Sequence, residues 1–203
     1  TKEEYYFKFT GTVHAVSDQM DLKSKTLIAL ADVPEGRGAS GGKVAPSELD
    51  SINQIIARDD VTIIQSGKTI KANEAEFFPR EQLANLSGAA SVDMKGAYLS
   101  GETIRSQSGE IEIAGTEAAG RAQMILTETG GLGIQGVTAL NSDTIILADT
   151  ITMREQPTEN HFLFKGSVEV MSGAVQMQSA RMSIISNKVD QPKTTEEDLG
   201  LKV

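Results

Sequence analysis

Residues 164–182 read FKGSVEVMSGAVQMQSARM, and residues 9–27 read FTGTVHAVSDQMDLKSKTL. Laid side by side without a gap, Phe9, Gly11, Val13, Ala15, Met20, Leu22, Ser24 and Leu27 fall on Phe164, Gly166, Val168, Val170, Val175, Met177, Ser179 and Met182. On each side of a central turn-forming cluster, apolar and polar residues alternate, the pattern of two half-buried strands joined by a turn. The same strand-turn-strand unit therefore stands near both ends of the chain.

Working outward, a third copy has Val61 and Ile63, a turn around Gln65, Ser66, Gly67 and Lys68, and then Ile70, Ala72, Ala75 and Phe77. Its turn reads as two residues longer than in the terminal copies. A fourth copy carries Gly88, Ala90 and Val92 before its turn and Ala97, Leu99 and Ile104 after it. Shorter alternating pairs follow: Ile111 with Ile113, Met124 with Leu126, Leu132 with Ile134, Ile145 with Leu147, and Ile151 with Met153. One hairpin alone is marginal in water, so units of this kind must stack until their apolar faces share an interior. The expected fold is all-β and elongated. Whether the interior is filled, as in a purely structural β-solenoid, or partly open, periodicity leaves undecided.

Composition bounds the rest. The chain has 203 residues, a formal charge of −9, 39% apolar and 23% charged residues, six Phe, three Tyr and no Trp, so Ile, Val, Leu, Ala and Met must build the core. The acidic balance argues against nucleic acid as a partner, since such binders show a basic face or stripe. With no cysteine there is no disulfide framework and no thiolate metal site, which suits a reduced cytosol and a periplasm equally. The opening Thr1, Lys2, Glu3 and Glu4 is neither a signal peptide nor a natural start, so the sequence reads as trimmed, with any signal or anchor segment lying outside it.

Three stretches depart from the strand pattern. Leu49, Ile52 and Ile56 share one helical face behind Ser47, which predicts a short helix over 47–56. Residues 33–46, with two Pro and four Gly, predict a long exposed loop. From residue 187 to 203 the sequence turns polar and charged and predicts a tail. The glycine-rich loop contains tempting strings, none in the right context. Gly36, Gly38 and Gly41 mimic a dinucleotide fingerprint, but Pro34 and Pro46 flank them where a strand and a helix are needed. Gly38, Ser40 and Gly42 spell a nucleophile elbow without the strand-turn-helix it requires, and Val44 follows Gly42 and Lys43 where a P-loop needs Ser or Thr. His14 and His161, the two histidines, fall at outward or turn positions, and Asp93, Glu102, Glu110 and Glu112 are scattered along outward faces. No enzyme, cofactor or metal site is expected.

The pattern Phe-x-Gly-x-Val-x-Val, a turn, then Val-x-Met-x-Ser-Ala-x-Met at 164–182, with its partial match at 9–27, resembles the OstA-like proteins of lipopolysaccharide transport, the LptA and LptC family. The resemblance covers most of residues 5–186 and implies an antiparallel β-jellyroll shaped like a folded taco. Residues 1–186 would form that domain, with the loop at 33–46 exposed. It implies a non-catalytic periplasmic carrier that shelters lipid A acyl chains on their way to the outer membrane, and joins other Lpt components or itself by edge-strand pairing. The inward, lipid-binding set would be Phe9, Val13, Met20, Leu22, Val61, Ile63, Ile70, Phe77, Phe164, Val168, Val170, Val175, Met177 and Met182. Lys165 and Arg181 would give local help with an anionic headgroup, and Val168 and Val170 would lie on a terminal edge strand. One departure from the pattern is Asp59, which stands where the other units have Gly11 or Gly166.

Overall fold

A computed structural model describes residues 4–17, 20–32, 52–94, 96–116, 118, 120–127, 143–173 and 175–187. The alternation written into the terminal units becomes long antiparallel strands, β1 (Glu4–Val16), β2 (Asp21–Asp32), β3 (Ile52–Gln65), β4 (Lys68–Phe78), β5 (Leu83–Met94) and β6 (Ala97–Gln107), each paired to the next. A short 3-10 turn at Pro79–Glu81 links β4 to β5. Four short strands follow, β7 (Glu110–Ala114), β8 (Ala122–Leu126), β9 (Thr144–Ala148) and β10 (Thr150–Glu155), and two long ones close the order, β11 (Glu159–Ser172) and β12 (Val175–Asn187).

A backbone irregularity shapes all the long strands. In each hairpin the register slips midway, at Thr10/Val13, Arg58/Val61, Ser87/Ala90 and Lys165/Val168. The extra residues are β-bulges, and they carry positive φ: Gly11 at 108°, Asp59 and Asp60 at 63° and 55°, Gly88 and Ala89 at 76° and 53°, Gly166 and Ser167 at 77° and 43°. A bulge bends its strand and steepens its twist. Lined up across the sheet, the bulges fold it into two halves that face each other, with the strands running through the bend. The Asp59 departure now has a cause. The site demands a left-handed residue, and Asp is among the few non-glycine types that accept one.

The bend also explains the short strands. One half of β6 pairs with β7 and the other with β8, while β10 and β9 likewise divide β11 between them. β7 pairs β10 and β8 pairs β9, so each two short strands replace one long strand broken at the bend. The result is a meander of ten strand positions, roughly 43 Å from end to end at ~4.8 Å per step. This is the all-β, elongated fold expected from the repeats, in the antiparallel jellyroll form that the resemblance implies.

Three readings are corrected. Ile52 and Ile56 lie in β3, not a helix: Ile55 and Ile56 pair with Ala29 and Ile28 of β2, and β-branched side chains fit that ladder better than a helix face. The third unit's turn is no longer than the others. Its innermost inward pair is Ile63 with Ile70, the same seven-residue spacing as Ala15 with Leu22 and Val170 with Met177. Val168 and Val170 are not on an edge, because β11 has β12 on one side and β9 and β10 on the other; the edges are β1 and β12. The predicted loop at 33–46 lies outside the described residues, as does the tail beyond Asn187, the last residue of β12.

The bulge makes a simple test. Asp59→Gly relieves a left-handed non-glycine and is expected to leave stability unchanged or raise it by up to about 1 kcal/mol, whereas Asp59→Val should cost about 1–2 kcal/mol. Urea midpoints at constant slope would check it; equal midpoints for the two variants would contradict the bulge assignment.

Candidate functional site

Cross-strand partners point to the same face, so the register lists trace rows across the sheet. One row runs Phe9, Leu27, Ala57, Ala75, Leu86, Ile104, Ile113, Ile151, Phe164, Met182. On the other side of the bend a second runs Ala15, Leu22, Ile63, Ile70, Val92, Leu99, Met124, Ile146, Val170, Met177. Every residue of both rows is apolar. Facing each other, they make a single apolar interior that runs the length of the meander.

The interior is closed in the middle and uncovered at its ends. Ala57, Ala75, Ile113, Met124, Ile146, Ile151 and Phe164 are fully buried, and the first residue of one row and the last of the other, Phe9 and Met177, are 53% and 38% exposed. Of the fourteen residues read as inward, Leu22, Val61, Ile63, Phe164, Val168 and Val170 are buried core, and Met20, Ile70, Phe77 and Met182 pack against it. Val13 and Val175 are half-buried on β1 and β12. Phe9 and Met177 also sit on the inward face, opposite Leu27 and Val170, and remain exposed because, among the described residues, no further strand covers an end.

The middle of the interior is supplied by side chains outside that set, among them Leu99, Ile104, Ile113, Met124 and Ile151. Their alternation was visible in the sequence. The pair Ile145 with Leu147 is a correction: in the unbroken apolar run Ile145, Ile146 and Leu147 the phase is the opposite one, so Ile146 is core and its two neighbours are half-buried on the other side. Buried Thr144 at the start of β9 is satisfied by a 2.9 Å hydrogen bond between its Oγ1 and Ser172 Oγ.

Polar chemistry lies on the outer face. Lys165 and Arg181 are cross-strand partners there, exposed and turned away from the interior. His14 Nε2 lies 2.8 Å from Asp21 Oδ1 on the β1–β2 hairpin, and His161 contacts Glu159 on β11. Glu110 is ion-paired with Arg154. Exposed Lys25 is held above its ordinary value first by its hydrogen bond to Asp60 and then by that carboxylate's charge. Among the described residues no group of three or more His, Cys, Asp or Glu could hold a metal ion, and no helix is long and apolar enough to cross a membrane. The glycine-rich strings at 36–44 lie outside the described residues.

Comparison with protein families and with curated proteins finds no match. Among solved structures the chain is similar to LptH of Pseudomonas aeruginosa, the LptA-homologous periplasmic component of the lipopolysaccharide transport device. The TM-score is 0.46 and the identity 12%, over 59% of this chain and 80% of that one.

Closed centre and uncovered ends predict opposite responses to one kind of substitution. Val168→Asp, at 1% exposure, buries an unpaired carboxylate and is expected to cost about 3 kcal/mol or more, while Met177→Asp at the open end should cost under about 1 kcal/mol. Thermal or urea unfolding of both would check it; equal losses would mean that the end is covered.

Proposed function

We propose that this protein is a non-catalytic lipid-binding carrier of the lipopolysaccharide-transport type. In this reading it shelters acyl chains in the interior between its two half-sheets and works in the periplasm as a link toward the outer membrane. The observation that carries the reading is the continuous apolar interior that surfaces at Phe9 and Met177, a large exposed apolar side chain on the inward face at each end of the meander. Large apolar side chains on an inward face, continuous with a core yet open to water, offer a docking surface for a hydrocarbon chain. Support also comes from the sequence units at 9–27 and 164–182 and their resemblance to the OstA-like pattern.

Acyl chains supply the driving force, at about 0.8 kcal/mol per buried CH₂, so about a dozen methylenes suffice for useful affinity. With a formal charge of −9 the protein is poorly suited to grip an anionic headgroup, and recognition falls to the chains. The seven Met residues suit this role, because Met adapts its shape to a flexible partner. In the same proposal β1 and β12, each paired on one side only among the described residues, accept a strand from another Lpt component or a second copy, which would carry the interior across the junction.

The purified chain is expected to bind acylated lipopolysaccharide and not its deacylated core. Phe9→Asp and Met177→Asp should each weaken binding about tenfold, the equivalent of about 1.4 kcal/mol. Equal binding of the two lipids would overturn the carrier reading. It would leave a strand-edge assembly protein with a filled core, a reading favoured by the buried centre and checked by concentration-dependent light scattering.

A further inference from the structure

Among the described residues one ion pair differs in kind from the others. Arg58 with Glu74, Arg154 with Glu110, and Arg80 with Asp32 each join strands or turns within one half of the fold. Lys68 Nζ lies 2.8 Å from Glu155 Oε1, a contact between residues 87 apart in the chain. Lys68 closes the β3–β4 hairpin opposite Gln65, at the free rim of the half that carries Ile63 and Ile70. Glu155 ends β10 opposite Asn160, at the free rim of the half that carries Ile151 and Phe164. No ladder joins these two strand ends, for the ladders pass from one half to the other only through the bend. The twist of the two halves brings one rim over the other at this point.

We propose that Lys68 and Glu155 form a clasp across the mouth of the folded sheet, holding the two rims together and limiting sideways entry of an apolar chain into the interior. This rests on the carrier reading above. The bulges at 59–60, 88–89 and 166–167 are the hinge about which the halves part, and the clasp lies on the side away from it. Its strength fits a gate. The two side chains are 30% and 39% exposed, and a pair so placed shifts an open–closed equilibrium by only about two- to fivefold, enough to set an entry rate without sealing the mouth. The backbone N–H of Glu155 also donates to Gly109 O at 3.3 Å, which ties the β10 rim to the β6–β7 turn and makes that side of the mouth the stiffer one. The facing side is the β3–β4 turn, built like the β6–β7 turn on a left-handed Ser-Gly pair, Ser66 and Gly67 against Ser108 and Gly109, and it has no such tie to β10 among the described residues.

The test follows uptake of a dansyl-labelled undecanoic acid by the full chain, alongside backbone hydrogen exchange at both rims. Lys68→Ala and Lys68→Glu should raise the uptake rate about two- to fivefold, the charge swap Lys68→Glu/Glu155→Lys should return it to the wild-type value, and high salt should speed the wild type and the swap but leave Lys68→Ala unchanged. Because the chain has no cysteine, Lys68→Cys/Glu155→Cys carries two unique thiols, and bridging them with a short bismaleimide should slow uptake at least tenfold. Single variants that match the wild type, or a swap that stays as fast as Lys68→Glu, would overturn the clasp. If the wild type takes up no probe, the carrier reading fails by itself. Hydrogen exchange then decides the clasp: faster exchange at both rims in Lys68→Ala supports it, and unchanged exchange overturns it.

Discussion

Everything in this fold hangs on a line of backbone bends. A twelve-stranded meander of apolar-faced strands could have remained an open sheet with one greasy side in water. The left-handed residues at 11, 59–60, 88–89 and 166–167 turn that sheet on itself, so its apolar face finds its partner in its own other half. No second layer has to be supplied by helices or another domain. The inward rows are then buried in the middle, where each large side chain stabilises the fold by about 1.5–3 kcal/mol, and must run out into water at the two terminal strands. Closed centre and uncovered ends are consequences of the same bend, and so is the meeting of the two rims at Lys68 and Glu155.

The bend was legible in the sequence only once its chemistry was understood. Gly11, Gly88 and Gly166 mark it plainly, yet Asp59 at the equivalent place reads as a departure until its φ of 63° shows the same backbone in a different residue. Alternation placed Leu22, Ile63, Val168 and Val170 on the inward face, because one polar or small residue between each pair leaves no choice of phase. It took the wrong phase at Ile146, inside a continuous apolar run. Helical spacing at Leu49, Ile52 and Ile56 predicted a helix from three residues, a weak local preference that the β2 ladder outweighs over residues 52–56.

The larger misreading concerned position within the sheet. Repeats reveal that a strand exists and which side chains share a face; they say nothing of how many neighbours the strand has. Val168 and Val170 belong to a terminal unit, and β11 is nonetheless doubly flanked, because β9 and β10 return to lie beside it. Phe9 and Met177 carry the inward signature and stay wet for the converse reason: β1 and β12 each have one neighbour. Burial is a property of strand order, and strand order is set by pairings between segments that the repeat does not distinguish.

The order of the meander has a further consequence, for how the chain acquires its structure. From β1 to β7 each strand lies beside the one just before it, so most contacts close over a single hairpin and little loop entropy is lost before they form. Only the junctions of β6 with β8, β7 with β10 and β9 with β11 reach past a neighbour, and they all fall in the stretch where strands are broken at the bend. Zipping can therefore start in any hairpin and spread along the sheet as residues are delivered, with the broken-strand region as the late step that joins an N-terminal block to a C-terminal one. Such a molecule behaves as a one-dimensional array, and material lost from one terminus shortens it without dissolving what remains.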